Sequence, residues 1–120
     1  MANEPLEVTV RRLPALTVLD LEGEINGLAE SRLNHAYADA EGAGPRTVLL
    51  NFSGVDYINS TGIALIVSLL GRARASGREL RACGLSEHYV EIFNITRLAD
   101  FMSVFPNEEA AVSEAALGAG

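Results

Sequence analysis

The stretch Tyr57-Ile58-Asn59-Ser60-Thr61-Gly62-Ile63-Ala64-Leu65-Ile66-Val67 decides the fold. Asn, Ser and Thr side chains accept hydrogen bonds from the free N–H groups of a helix's first turn. Three of them directly before an apolar run predict a helix start. Just upstream, Thr47-Val48-Leu49-Leu50-Asn51-Phe52 is nearly continuous in apolar residues, the pattern of a central strand covered on both faces, and a short loop joins it to Asn59. Gly62 adds no bulk to the first turn, so the sequence predicts that another molecule can approach the backbone there. A hydroxyl at Ser60 would lie at the positive end of the helix dipole, where a phosphoryl group is favoured. An ordinary cap on an α/β protein accounts for the same four residues.

Within the helix, Ile63, Ile66, Val67 and Leu70 form one stripe, while Leu65 and Leu69 lie off it. The second apolar face is covered either by neighbouring helices or by a partner. Arg72, Arg74 and Ser76-Gly77 close the helix with cations and a glycine.

Working outward, Leu6 to Arg11 and Leu16 to Leu21 alternate with period two around an Arg12-Leu13-Pro14-Ala15 turn, which predicts an antiparallel hairpin. Glu22-Gly23-Glu24-Ile25-Asn26-Gly27 reads as the loop leaving it. From Leu28 to Glu41, Ala29, Leu33, Ala36, Tyr37 and Ala40 recur at helical spacing, and Gly42-Ala43-Gly44-Pro45 stops that helix. Arg78 to Cys83 is the next strand. Ser86 caps a third helix with Val90 and Phe93 facing inward. After a helical turn at Leu98 and a short strand at 101–105, Pro106-Asn107-Glu108-Glu109 starts a fourth helix. The order predicts an α/β fold: a mixed, mostly parallel sheet with an N-terminal antiparallel hairpin, packed by about four helices. Residues 1–114 form one domain and 115–120 a frayed tail.

Composition narrows the function. The net charge of −7 disfavours nucleic acid and anionic membranes as partners and favours partners with basic patches. One cysteine, Cys83, allows neither an internal disulfide nor a cysteine zinc cluster. The start Met1-Ala2-Asn3-Glu4-Pro5 has no leader character, and no apolar run reaches the eighteen or so residues of a membrane span, so the sequence predicts a cytoplasmic protein. His35 and His88 stand on separate helices without metal-ligand spacing; no Walker loop, GxGxxG or GxSxG is present. The sequence therefore predicts no enzyme, no metal and no cofactor. A hydroxyl at a helix start in such a domain suits a residue that is acted upon.

The segment from Val48 through Asn51-Phe52-Ser53-Gly54-Val55-Asp56 to Asn59-Ser60-Thr61-Gly62 resembles the signature of bacterial STAS domains, and is most similar to stand-alone anti-sigma factor antagonists. Leu21-Glu22-Gly23-Glu24-Ile25-Asn26, Gly77 with Arg78-Glu79-Leu80, and Phe93-Ile95-Thr96-Leu98 extend the resemblance over nearly the whole chain. It implies a phosphoacceptor at Ser60, with Thr61 second to it. Implied partners are an anti-sigma factor that is also a serine kinase of histidine-kinase-like ATPase fold, and a metal-dependent serine phosphatase. The unphosphorylated form would bind the kinase and free a sigma factor, and phosphorylation would end binding. Glu24, Asn26, Asn59, Ser60, Thr61, Gly62, Leu65 and Leu69 are the expected partner-binding residues. Asn59 stands where the family usually has aspartate, and Asn26 where aspartate is common. The alternative is a constitutive STAS subunit docked on a membrane transporter's ATPase.

Overall fold

The computed structural model describes residues 5–119, with side chains as far as Ser113. Strand β1 (Glu7–Arg12) turns at Pro14 into β2 (Thr17–Ile25), and the turn is closed by the Leu13 N–H donating to the Leu16 carbonyl at 2.9 Å. The pair is antiparallel, from Glu7 opposite Glu22 to Arg12 opposite Thr17. Three further strands add in sequence order, each parallel to the one before: β3 (Thr47–Ile58), β4 (Glu79–Cys83) and β5 (Ser103–Phe105). The connections are α1 (Glu30–Gly42), α2 (Ser60–Ala75) and α3 (Glu87–Ile95); α4 (Glu108–Ala119) follows β5. The expected mixed sheet, hairpin and four helices are all present.

The alternation of each strand divides two cores. Leu19, Leu21, Val48, Leu50, Phe52, Leu80 and Ala82 face one way and meet Leu33 and Tyr37 of α1, Ile66, Leu69 and Leu70 of α2, and Phe93 of α3. Val18, Leu49 and Cys83 face the other way, towards Ala111 of α4. Each fully buried aliphatic side chain contributes about 1.5–3 kcal/mol. Burial also pushes the Cys83 thiol up to about 11, which leaves it an inert core group.

Polar clamps fasten α4. Arg11 donates to both Asp20 and Glu108, so one guanidinium joins β1, β2 and the first turn of α4. Asp20 also accepts from Asn51 Nδ2 at 2.8 Å. Arg81 is only 7 % exposed; it pairs with Glu79 at 2.9 Å and donates to the Ala111 carbonyl at 3.0 Å.

Three expectations are corrected. The expected loops at 22–25 and 53–58 are strand: β2 and β3 run on together to Ile25 opposite Ile58, through register shifts near Glu22 and Glu24. Gly23, at φ 107°, supplies the irregular backbone there. In α2 the buried stripe is Gly62, Ile66, Leu69, Leu70 and Ala73, whereas Val67 is 48 % exposed. Leu69 therefore belongs to the core, not to a partner surface. In α3 the buried residue beside Phe93 is Tyr89, with Val90 only half-buried. Helix α4 runs to Ala119, across the expected boundary at 114. Residues 1–4, which carry the no-leader expectation, and Gly120 of the expected tail lie outside the described residues. Among the described residues no helix is long and apolar enough to cross a membrane.

Candidate functional site

The end of β3 delivers Asn59, whose backbone is extended (φ −91°, ψ −178°) and whose side chain turns back over the helix. Its Oδ1 accepts the Gly62 N–H at 2.8 Å, and its carbonyl accepts the Ile63 N–H at 2.9 Å. One residue thus performs the whole cap, worth about 1 kcal/mol. Ser60 and Thr61 are left as the first two helical residues, both exposed. Their backbone N–H groups are those an α-helix cannot satisfy internally, so the Ser60 hydroxyl stands at the positive end of a sixteen-residue dipole.

Gly62 is buried, and its lack of a side chain serves the chain itself. A Cβ there would lie 2.1 Å from the Ile25 carbonyl oxygen and 2.9 Å from Ile58 Cγ2. The molecule that approaches this glycine is strand β2, which corrects the expectation that it leaves room for a partner. Asn59 N–H donates to the same Ile25 carbonyl at 3.2 Å. The helix start is therefore pressed onto the last residue of β2.

Beyond Ile25 a second, smaller cap lies alongside. Asn26 Oδ1 accepts the Leu28 N–H at 2.9 Å at the head of a 3-10 turn (Gly27–Ala29), and its Nδ2 donates to Glu24 Oε1 at 3.4 Å. A Cβ on Gly27 would touch Thr61 Cγ2 at 3.6 Å, so this turn stands beside the first turn of α2. Asn26, Asn59, Ser60 and Thr61 are thereby brought to one end of the molecule, with Glu24 behind them. Leu65 is half-buried against the core.

Three residues that the sequence reading did not place at the site belong in its description. Leu28 is 85 % exposed on the 3-10 turn, and Val67 projects from the open side of α2. Tyr89 reaches from α3 to the backbone of Ile58: its hydroxyl accepts the Ile58 N–H at 2.9 Å and faces the Ile58 carbonyl at 3.4 Å. Its position three after the Ser86 cap and four before Phe93 was the available signal for a buried residue. His35 and His88 are both exposed, on α1 and α3. Among the described residues no group of three or more His, Cys, Asp or Glu is placed to hold a metal ion. Chemically, the site offers an accessible hydroxyl, a favourable local dipole and exposed apolar side chains at its border.

The family model described as STAS domain matches residues 7–111. An anti-sigma-B factor antagonist of Staphylococcus aureus is 30 % identical over 82 residues, covering 68 % of this chain and 76 % of that protein. BtrV of Bordetella bronchiseptica, named as a candidate anti-sigma factor antagonist, is 28 % identical over 111 residues, covering 90 % of this chain and 93 % of its own. Among solved structures, the Bacillus cell fate determinant SpoIIAA in its phosphorylated form superposes with a TM-score of 0.68 at 19 % identity, over 90 % of this chain and 98 % of that one. At that identity the likeness is one of fold.

Proposed function

The chain belongs to the STAS domain family, and from that membership we propose that it is an anti-sigma factor antagonist switched by phosphorylation of Ser60. The observation that carries the reading is the exposed Ser60 hydroxyl at the first position of α2, with the capping work done entirely by Asn59. A residue released from structural duty can be modified without unfolding what it stands on. The unmodified protein binds an anti-sigma factor of kinase type and frees its sigma factor; the phosphorylated protein does not bind. A phosphatase returns it to the binding form. The role is regulatory, not catalytic.

A phosphate at the helix start is favourable by about 0.3–2 kcal/mol, so the switch does not act by melting α2. It acts at the contact, where a hydrated dianion pressed against a desolvating partner costs several kcal/mol. Asn59 offers a neutral amide beside Ser60, so the phosphate meets no carboxylate from the preceding residue.

The test is incubation with ATP and the anti-sigma factor kinase of the same organism, followed by mass spectrometry and affinity measurement. One phosphate on Ser60 is expected, absent from Ser60→Ala, and an affinity loss of roughly a hundredfold or more. Ser60→Ala should bind the kinase like the unmodified protein and keep its stability within about 0.5 kcal/mol. Equal affinity of the two forms would refute the switch. Recovery of a transporter ATPase in place of a kinase would favour a constitutive docking subunit.

A further inference from the structure

Within the phosphoswitch reading, on which this inference rests, we propose that Tyr89 is the positioning residue of the phosphoacceptor. Its hydroxyl completes the unpaired end of β3 and so fixes the helix start that presents Ser60.

Strand β4 stops at Cys83, and its last partner on β3 is Asn51. From Ser53 to Ile58, β3 continues beside β2 alone. At the end of this stretch Asn59 directs its N–H to the Ile25 carbonyl on β2. Backbone groups of successive strand residues turn to opposite edges, so Ile58 directs both its N–H and its carbonyl away from β2. On that side no strand among the described residues receives them. Tyr89 supplies what β4 would have supplied: one hydroxyl that accepts from the N–H at 2.9 Å and donates to the carbonyl at 3.4 Å.

Both residues are buried, Ile58 at 5 % exposure and Tyr89 at 8 %, so solvent does not stand in for the hydroxyl. The tyrosine is itself held. Its own N–H donates to Ser86 Oγ at 3.3 Å, the cap of α3, and its ring meets His88 edge-on at 4.8 Å. Ile58 is followed at once by Asn59, the cap of α2, and then by Ser60. The clamp therefore lies two residues from the hydroxyl that a kinase must meet in line with its γ-phosphate. Phosphoryl transfer depends chiefly on such positioning, and a misplacement of about 1 Å can cost about a hundredfold in rate.

The experiment compares Tyr89→Phe with Phe93→Leu, a core change on the same helix that weakens the fold and leaves the clamp in place. Two measurements are made on each folded variant: kcat and KM for Ser60 phosphorylation by the anti-sigma factor kinase, and amide hydrogen exchange residue by residue. In Tyr89→Phe, kcat should fall about tenfold or more while KM stays within about twofold, and exchange at 58–62 should rise about tenfold or more while Leu49 and Leu50 keep their protection. Phe93→Leu should show neither local change, only a lower melting temperature. Faster exchange with unchanged kcat would overturn the positioning role and leave an ordinary structural bond. Equal effects from both variants would overturn it too, because they would trace to stability alone. Absence of phosphate on the wild-type protein would fall on the phosphoswitch reading alone. The clamp would then stand or fall on exchange at 58–62, with wild-type rates in Tyr89→Phe refuting it.

Discussion

Two glycines of α2 should answer the same substitution with opposite signs. Gly62 and Gly71 lie on one helix, and replacing either by alanine removes backbone freedom from the unfolded chain. In isolation that change stabilises a helix by about 0.5–1 kcal/mol. At Gly71 a new Cβ meets nothing within 4 Å, so Gly71→Ala should gain most of that amount. At Gly62 the new Cβ would sit 2.1 Å from the Ile25 carbonyl oxygen and 2.8 Å from its carbon. These are backbone atoms of a paired strand, and they cannot rotate aside. Relief requires the helix start to lift off β2 by roughly 1 Å. Overpacking of this kind costs about 1–3 kcal/mol, and loss of the Asn59–Ile25 hydrogen bond adds about 0.5–1.5 kcal/mol. After the helix gain is subtracted, Gly62→Ala should be about 2 kcal/mol less stable than the parent. At this chain length that is a fall of roughly 6–12 °C in melting temperature. Urea unfolding followed by circular dichroism measures both variants against the parent. If Gly62→Ala is as stable as Gly71→Ala, the helix start is not pressed onto Ile25 and the site geometry derived from that contact is wrong.

The other expected outcomes concern α2 and the acid limb. Leu69→Ala should lose about 2–5 kcal/mol because it empties a buried position, whereas Val67→Ala should stay within about 0.5 kcal/mol of the parent and weaken kinase binding. Unfolding curves and a binding titration on the same samples separate the two. The hydrogen bond from Arg11 holds the Asp20 carboxyl below the usual carboxylate range, against a smaller opposing effect of burial. A depressed folded pKa means the ionised pair stabilises above the unfolded pKa of about 3.9 and loses that contribution as pH falls through the folded value. Both side chains are about a third exposed, so the effect should remain under about 1 kcal/mol. Melting temperatures of Asp20→Asn and the parent should converge as the pH drops below about 4; a constant gap down to about pH 2 would remove Asp20 from the acid limb.

The start of α2 was legible because its signal is local: an Asx cap, two hydroxyls and a glycine ahead of an apolar run specify a helix without outside help. The rotation of that helix was not legible. With Ile63, Leu65, Ile66, Val67, Leu69 and Leu70 all apolar, periodicity alone cannot choose a face. The choice is made where Gly62, lacking a side chain, lets the helix reach Ile25. Strand ends at 22–25 and 53–58 were hidden for a different reason. One face of the sheet is open there, lined by Thr9, Asp20, Glu22, Asn51 and Ser53, so the residues are as polar as loop residues. Pairing between β2 and β3 decides their structure, and pairing is not a local property. Tyr89 was missed by one position on α3, where a tyrosine and a valine were both plausible core residues until a specific hydroxyl partner distinguished them.

The strand order also bears on how the chain is made. Every strand neighbours the one synthesised before it, so the sheet can grow by adding one βα unit at a time as the chain leaves the ribosome. Among the described residues no strand waits for a distant partner, and the loop-closure entropy that slows folding of non-local sheets stays small through β5. The contacts of α4 break that rule: Arg11 and Glu108 are separated by 97 positions, and Ala111 packs against Val18 and Leu49. Docking of α4 must then come last. A nascent chain can thus complete the Ser60 face before its opposite face is covered, and the bare lower sheet around Val18, Leu49 and Cys83 is the surface most open to aggregation during synthesis.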